Sequence, residues 1–309
     1  MLNATRLRVL REVLRSGSLS AAAERLSYTQ SAVSQQIAAL EREVGLRLLE
    51  RSTRGVRPTQ AGRRLAAHAE AVLSQLEAAE RELQELAGLG GGNLRLASFA
   101  SAGSTLLPEA VARFRSRYPA VELTLAEGEP EEIAPRLCAG EFDLALLFQF
   151  GSGEPLRPYA SRLKLEPLLE DPMYLAVPAG HPLAGRPTVR LKDLAGEALI
   201  QTSARTACAR YVVRAAHAAG FEPRVSFESD DYLTVQGLVA AGVGVALIPR
   251  LALNPVRDGV VVRTLSPRPP LRKVIVGLRR DVPPAPAVKP MVELLKAVAA
   301  DFSAAVSPA

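Results

Sequence analysis

Residues 26–45 read LSYTQSAVSQQIAALEREVG, and their apolar members Val33, Ile37, Leu40 and Val44 recur in steps of four, three and four. That is the spacing of one helix face. The opposite face opens with Thr29, Gln30, Ser31, Ser34 and Gln35, which are hydroxyls and amides in place of charges. Such a helix buries one stripe and offers the other as donors and acceptors. Capping Ser and Thr residues occur in any helix, so the residues around this one decide what the polar face is for.

Upstream, Leu7, Leu10, Val13 and Leu14 form the apolar face of a first helix that stops at Ser16-Gly17. Ser20 is expected to cap a short second helix running through Leu26, in which Ala22 and Ala23 permit a close crossing. After a brief turn at Ser27-Tyr28, Thr29 caps the third helix. A pair of helices with a tight turn, the second apolar beneath and amide-rich above, is a helix-turn-helix. In a major groove Gln pairs with adenine, and hydroxyls reach bases or phosphates. Downstream, LRLLERSTRGVRPT (46–59) reads as a strand, an Arg-rich tip and a return strand. Arg51, Ser52, Thr53, Arg54 and Arg57 would stand on a wing laid along the backbone or minor groove.

Charge points the same way. Twelve of the 38 basic residues but only five of the 32 acidic ones fall within residues 1–64, so this segment carries +7 and the rest of the chain −1. A basic module on a near-neutral body implies one part on a polyanion and another with a different task.

From Thr59 one helix is expected to continue to residue 87. Leu65, Val72, Ala79 and Leu86 fall in one heptad register, and Ala69, Leu76 and Leu83 in the other. This seam either packs on its own body or pairs with a second copy. We read it as dimerisation, centred on Leu65, Val72, Leu76 and Leu83, because such readers bind two half-sites. GLGGGN (88–93) follows as a hinge, and it lacks the Gly-Lys-Ser/Thr of a phosphate loop.

Beyond it, strand-like runs (94–97, 121–125, 144–148, 174–177, 274–278) alternate with helical patterns such as 109–117 and 208–219. The alternation predicts α/β layers around mostly parallel sheets. Ligands in such sheets sit where strands end and helices begin. That rule selects Ser98, Ala100 and Ser101 after the first strand, Glu127, Gly128 and Glu129 after the second, and Phe148 after the third. It also selects Thr202 and Ser203 after ALIQ, facing Asp230 and Asp231. Each alone is as readily a cap or loop residue; the set converges.

The stretch SLSAAAERLSYTQSAVSQQIAALEREVGLRLLERSTRGVRPTQAGRRL resembles the N-terminal signature of LysR-type transcriptional regulators. LRLASFASAGSTLLPEAVARFRSRYP, GEFDLALLF, GHPLAGRPTVRLKDLAGEALI and LVAAGVGVALIP are similar, in order, to segments of that family's effector domain. The resemblance covers essentially the whole chain. It implies a winged helix-turn-helix (1–58), a linker helix and hinge (59–92), and a regulatory domain (93–309) of two subdomains like a periplasmic binding protein. The subdomains would span about 93–163 plus 266–309, and 164–265, with a small-molecule effector between them. Their two chain crossings would form a hinge. The partners implied are a double-stranded DNA operator, the effector, and further copies of the chain in a homodimer or homotetramer. One departure stands out: Glu129-Pro130 occupies the loop where many relatives carry Ser or Thr. It removes a hydroxyl and an amide donor, which weakens the case for a simple carboxylate effector.

No cofactor, metal or catalytic group is expected. His68, His181 and His217 stand apart from any nucleophile or metal-ligand spacing. Cys138 and Cys208 are expected as inert thiols of a reducing compartment; the placing of Cys208 beside Arg205 and Arg210 keeps a redox role as a minority reading. The N-terminus has no signal-peptide pattern, and the longest apolar run, 238–248, is too short for a bilayer. A cytoplasmic, non-membrane protein is expected. The alternative is a solute-binding or enzymatic α/β protein with an incidental helical N-terminus, which would flow through a heparin column that retains a DNA binder.

Overall fold

The computed structural model describes residues 2–52, 55–86, 92–151 and 153–305. They form two compact units, Met1–Leu89 and Gly90–Ala309.

In the first unit, α1 (Ala4–Ser16) opens on Asn3, whose Oδ1 accepts from the Thr5 and Arg6 amides, and ends on Gly17 at φ 65°. Glycine meets that left-handed angle without steric cost. The helix buries Leu7, Val9, Leu10 and Val13. α2 (Leu19–Leu26) is capped by Ser18, not by Ser20 as the sequence suggested. Once Gly17 has turned the chain, Ser18 is the extended residue (φ −146°, ψ 136°) whose hydroxyl meets the first turn, while Ser20 is already helical. Ala22 and Ala23 enter the core, and Ser27 makes the turn at φ 55°.

α3 (Gln30–Val44) has Thr29 as its N-cap, with Oγ1 3.2 Å from the Ala32 amide. Val33, Ile37 and Leu40 are buried, and Val44 packs partly against the same core. Burying each such side chain is worth roughly 1.5–3 kcal/mol, which outweighs the ~1 kcal/mol of a cap. The stripe therefore fixes the helix's rotation, and the cap trims its start.

β1 (Leu49–Ser52) and β2 (Gly55–Pro58) pair antiparallel, with Ser52 opposite Gly55 and Glu50 opposite Arg57. The Glu41 carboxylate of α3 accepts from the amides of Leu48 and Leu49, at 2.7 and 3.2 Å. On the other strand, the Val56 amide donates to the Gly17 carbonyl at 3.0 Å. α4 (Gln60–Leu86) then starts on Thr59, whose Oγ1 accepts from the Gly62 amide. Gly62 is required there, since a Cβ would lie 2.0 Å from the Leu48 carbonyl oxygen. Ala69 and Leu73 complete the core of this unit, so Ala69, expected on the seam, faces its own domain.

The second unit contains β3 (Asn93–Ser98), α5 (Ala100–Thr105), α6 (Leu107–Arg117), β4 (Glu122–Glu127), α7 (Pro130–Cys138), β5 (Leu144–Phe150) and β6 (Leu163–Pro178). There follow β7 (Thr188–Arg190), β8 (Ala198–Gln201), α8 (Ala207–Ala218), β9 (Arg224–Glu228), α9 (Tyr232–Ala240) and β10 (Val245–Pro249). β11 (Val260–Ser266), β12 (Leu271–Arg279) and α10 (Val288–Ala304) end it. The main strand order is β4-β3-β5-β12-β6-β10-β8-β9. β3 pairs parallel with β4 and β5, and β8 with β9 and β10, as the alternating pattern predicts. β6 and β12 run antiparallel to their neighbours, because through them the chain passes between the two halves.

β6 is one 16-residue strand serving both halves: it pairs with β12 through Pro172 and with β10 from Met173. The changeover thus falls at 172–173, later than the expected 163–164. Phe99, Phe114, Leu144, Leu146 and Leu175 belong to the largest apolar cluster.

Candidate functional site

Two polar surfaces carry the residues singled out in the sequence. In the first unit the buried stripe of α3 turns Gln30, Ser31 and Gln35 to solvent, with Ser34 half-buried. Ser31 and Thr29 share a hydroxyl contact of 3.0 Å. Ser34, Ile37, Ala38, Glu41, Leu49 and Val56 line a groove between α3 and the wing strands. Other polar groups of α3 fix the fold: Gln36 accepts from Arg6 Nε at 3.4 Å, and Glu43 pairs with Arg6 at 2.8 Å. Arg57 is exposed on β2, and Arg47 is exposed at the start of the wing. Thr53 and Arg54 lie outside the described residues, as do the side chains of Arg51 and Ser52.

On α4, Val72 and Leu76 are 47% and 45% exposed, while Leu65 packs partly on its own core. The side chains of Leu83 and Leu86 lie outside the described residues.

In the second unit Ser101 and Phe148 lie against a buried ion pair that the sequence reading missed. Arg272 on β12 lies opposite Asp171 on β6, one residue before that strand changes partners. Arg272 Nε donates to Asp171 Oδ2 at 2.7 Å, and both side chains are almost wholly excluded from solvent. Nη2 of the same guanidinium donates to Ser101 Oγ. Asp171 Oδ1 accepts from the Leu251 amide at 3.1 Å. The guanidinium lies against Phe99 and Phe148, 4.8 and 4.9 Å from their centroids, and the two rings meet edge to face. Burial raises the Asp171 carboxyl and Arg272 pulls it back. On the other side, burial works against the Arg272 charge, but Asp171, Tyr232 and Cys208 outweigh it.

This arrangement gives the predicted residues distinct duties. Ser101 holds the guanidinium, and Phe148 is core beneath it. Ser98 is buried, and its hydroxyl donates to the Phe99 carbonyl at 3.1 Å. Ala100 starts α5, and the Glu127 carboxylate lies over Gly103. Thr202 and Thr206 share a buried hydroxyl contact of 2.8 Å. The Ser203 amide donates to Asp230 Oδ1 at 2.7 Å. Asp231 is the N-cap of α9.

Glu129 differs from all of these. It sits at the N-cap position of α7 without capping it, just after Gly128, and its carboxyl receives no hydrogen bond among the described residues. Burial raises that carboxyl to about 7; Arg272 pulls it down, while Glu131, Asp230 and Glu132 add to the rise. α8 spans the opening between the two halves. Arg210 pairs with Glu131 at 2.8 Å, Arg214 with Glu154 at 3.1 Å, and Tyr211 stacks on Phe150 at 4.2 Å.

The inner side of α8 carries Cys208, with Sγ 3.5 Å from the Tyr232 hydroxyl. Burial pushes its thiol up to about 11, against an opposing pull from Arg272. A thiol so raised is protonated at neutral pH and a poor nucleophile, so the inert reading fits it. Arg210, one of the two arginines on which the minority redox reading rested, is engaged by Glu131. Little in the sequence marks the missed pair, because Asp171 stands beside Glu170 in β6 and Arg272 beside Lys273 in β12.

Of the histidines, His181 caps a short turn and His217 lies 2.6 Å from Glu222. No cluster of His, Cys, Asp or Glu able to hold a metal occurs among the described residues. Nor, among them, is any helix long and apolar enough to cross a membrane.

Comparison with known proteins identifies both units. Residues 4–63 match the family model of bacterial regulatory helix-turn-helix proteins of the lysR family, and residues 87–300 match the LysR substrate binding domain. The probable HTH-type transcriptional regulator LrrA of Synechococcus elongatus is 33% identical over 304 residues, covering 98% of this chain and 99% of that protein. The DNA-binding transcriptional dual regulator OxyR of Escherichia coli is 29% identical over 278 residues, 89% of each chain.

Among solved structures, a full-length OxyR variant from Pseudomonas aeruginosa superposes with a TM-score of 0.71 at 23% identity, over 96% of this chain and 98% of that one. Full-length CbnR complexed with its target DNA does so at 0.62 and 22%, over 96% and 100%. At these identities the superpositions speak for the fold. With both of its units matched and a relative at a third identity along nearly its whole length, the chain belongs to the LysR family of DNA-binding transcriptional regulators.

Proposed function

We propose that this regulator reads its operator with Gln30, Ser31, Ser34 and Gln35 in the major groove, and steadies itself on the backbone through the wing. Arg57 is the described wing contact; Arg51, Ser52, Thr53 and Arg54 complete the set. The observation that carries the reading is the rotation of α3. Its buried stripe leaves amides and hydroxyls outermost, beside a groove bounded by the wing strands. Full-length CbnR has been captured on its target DNA, and this chain shares that fold.

The protein acts in the cytoplasm as a homodimer through α4, where Val72 and Leu76 present apolar surface. Exposed Leu125 on β4 and Val225 and Phe227 on β9, the two outer strands of the sheet, suit further pairing into a homotetramer. A small-molecule effector enters between the two halves of the regulatory unit. There it shifts their balance through β6 and the α8 contacts, and so alters operator binding.

Nuclease footprinting on the DNA beside the protein's own gene tests this. Two protected half-sites about one or more helical turns apart, altered by added metabolites, are the expected result. A protein that protects no segment over random DNA would contradict it.

A further inference from the structure

The chain joins the two halves of the regulatory unit at two crossings, within β6 at 172–173 and between β11 and β12. Two bodies joined in this way keep one soft motion, opening and closing about the crossings. Beside the crossings buried groups tie the halves together. Arg272 pairs with Asp171, Asp171 accepts from the Leu251 amide, and Thr105 Oγ1 donates to the Leu251 carbonyl at 2.7 Å. The other tie is α8. It belongs to the second half, where Cys208 and Val212 line one recess with Leu199 of β8 and Leu247 of β10. Positions 210, 211 and 214 lie on another side of the helix and reach the first half. Arg210 Nη2 is 2.8 Å from Glu131 Oε1 on α7, Arg214 Nη2 is 3.1 Å from Glu154 Oε2, and the Tyr211 ring stacks on Phe150 of β5 at 4.2 Å. The receiving edge is firm: Ile133, Ala134 and Leu137 pack α7 on β5, and the Phe150 amide donates to the Glu154 carbonyl at 2.9 Å.

The two sets of ties differ in kind. The Asp171–Arg272 pair is sealed from water and ions, whereas the side chains of Arg214 and Glu154 are 51% and 50% exposed and those of Arg210 and Glu131 39% and 27%. Exposed pairs are weak and are screened by salt. Opening the halves at α8 breaks both pairs and the ring stack together, so the three act as one contact. A separate feature opposes closure. Glu131 Oε2 is buried and receives no hydrogen bond among the described residues. Such an oxygen regains water when the halves part, which favours the open arrangement. Weak joint contacts that hold, set against a group that closure leaves unsatisfied, make two arrangements close in free energy.

We infer that α8 is an electrostatic clasp: Arg210, Tyr211 and Arg214, seated on Glu131, Phe150 and Glu154, hold the two halves of the regulatory unit closed, and the cleft opens when they let go. This rests on the reading of the cleft as the effector site and adds the gate through which an effector passes. The strength of the clasp then sets how often the cleft is open, and with it the rates of effector entry and exit. The hinge end does not respond to the same treatment, because its ion pair is buried. If the α8 pairs were ordinary surface contacts on a rigid body, removing them would leave the spacing of the halves unchanged.

The test is a pulsed electron-spin distance measurement on the full-length protein, with labelled subunits diluted by unlabelled ones. Nitroxides are placed on Ser161→Cys in the first half and Lys192→Cys in the second, both exposed positions, and the two native thiols are replaced by alanine. Arg214→Glu turns one attraction into a repulsion and should raise the ratio of open to closed distances by at least about threefold. Adding Glu154→Arg restores the pair with its signs exchanged and should return the ratio to within about twofold of the parent. Raising the salt to about 1 M, where the Debye length is about 3 Å, should open the parent but not a variant already lacking both charges, Arg210→Gln with Arg214→Gln. Distances that Arg214→Glu and the doubly neutral variant leave unchanged would overturn the clasp. So would an opening by Arg214→Glu that the exchanged pair fails to reverse, since the effect would then not be the ion pair's. Operator and random duplexes are titrated with the same preparations. Loss of operator preference in the parent would remove the regulator reading and leave the clasp standing on its distances.

Discussion

The outward face of α3 and the cleft of the regulatory unit are both polar, yet their polar groups are partnered in opposite ways. On α3 the groups facing outward are exposed, and scaffolding falls to other residues: Glu41 holds the wing, and Arg6 ties down Gln36 and Glu43. In the cleft most polar groups are committed to one another, Arg272 to Asp171 and Ser101, Thr202 to Thr206, Ser203 to Asp230. A surface that meets a large partner can leave its donors to water until contact. A buried site cannot, because unpaired groups away from water are costly. Under the proposed function, DNA would be read by spare groups held in place by a rigid helix, and the effector would be sensed by the few groups of the cleft that the fold leaves uncommitted.

The first way to break this contrast is at α4, outside both surfaces. Leu76→Glu puts two like charges across a two-fold contact if the seam pairs copies of the chain. Sedimentation should then report smaller particles. Operator affinity should fall by about 10²–10⁴, the gain that linking two half-site readers supplies. An unchanged mass with full affinity would move the dimer contact elsewhere.

The next is in the cleft. Asp171→Ala strands the buried Arg272 charge and should destabilise the regulatory unit by about 3–5 kcal/mol in urea unfolding. Replacing both partners, Asp171→Leu with Arg272→Met, should cost far less, because no charge is then left without its partner. Equal costs for the single and double variants would mean that the pair is not the keystone of this site.

The contrast also explains what could be read from the sequence. Val33, Ile37, Leu40 and Val44 lie within one helix, so their spacing alone told which way Gln30 and Gln35 face. The strands and helices of the regulatory unit were legible for the same reason, each being a local pattern. The Arg272–Asp171 pair spans 101 positions and Arg272–Ser101 spans 171, so no local pattern reports them. They depend on β12 and β6 lying side by side. The cap at Ser18 was missed by two residues, because the backbone angle at Gly17, more than the choice between two serines, decides where α2 starts. The seam position of Ala69 fell to the domain core, since a heptad pattern does not say which neighbour covers it.

The measurement closest to the central claim is titration of the operator and of a random duplex with the wild-type protein, Gln30→Ala and Arg57→Ala across a salt series. If α3 supplies spare groups for base reading, Gln30→Ala should cost about 1–3 kcal/mol on the operator and much less on random DNA. Arg57→Ala, a contact to the backbone, should weaken both duplexes alike and lower the salt slope by about one. Equal losses on the two duplexes for Gln30→Ala, with the ratio of specific to random affinity unchanged, would contradict the account: the exposed face of α3 would not be the part of this protein that reads sequence.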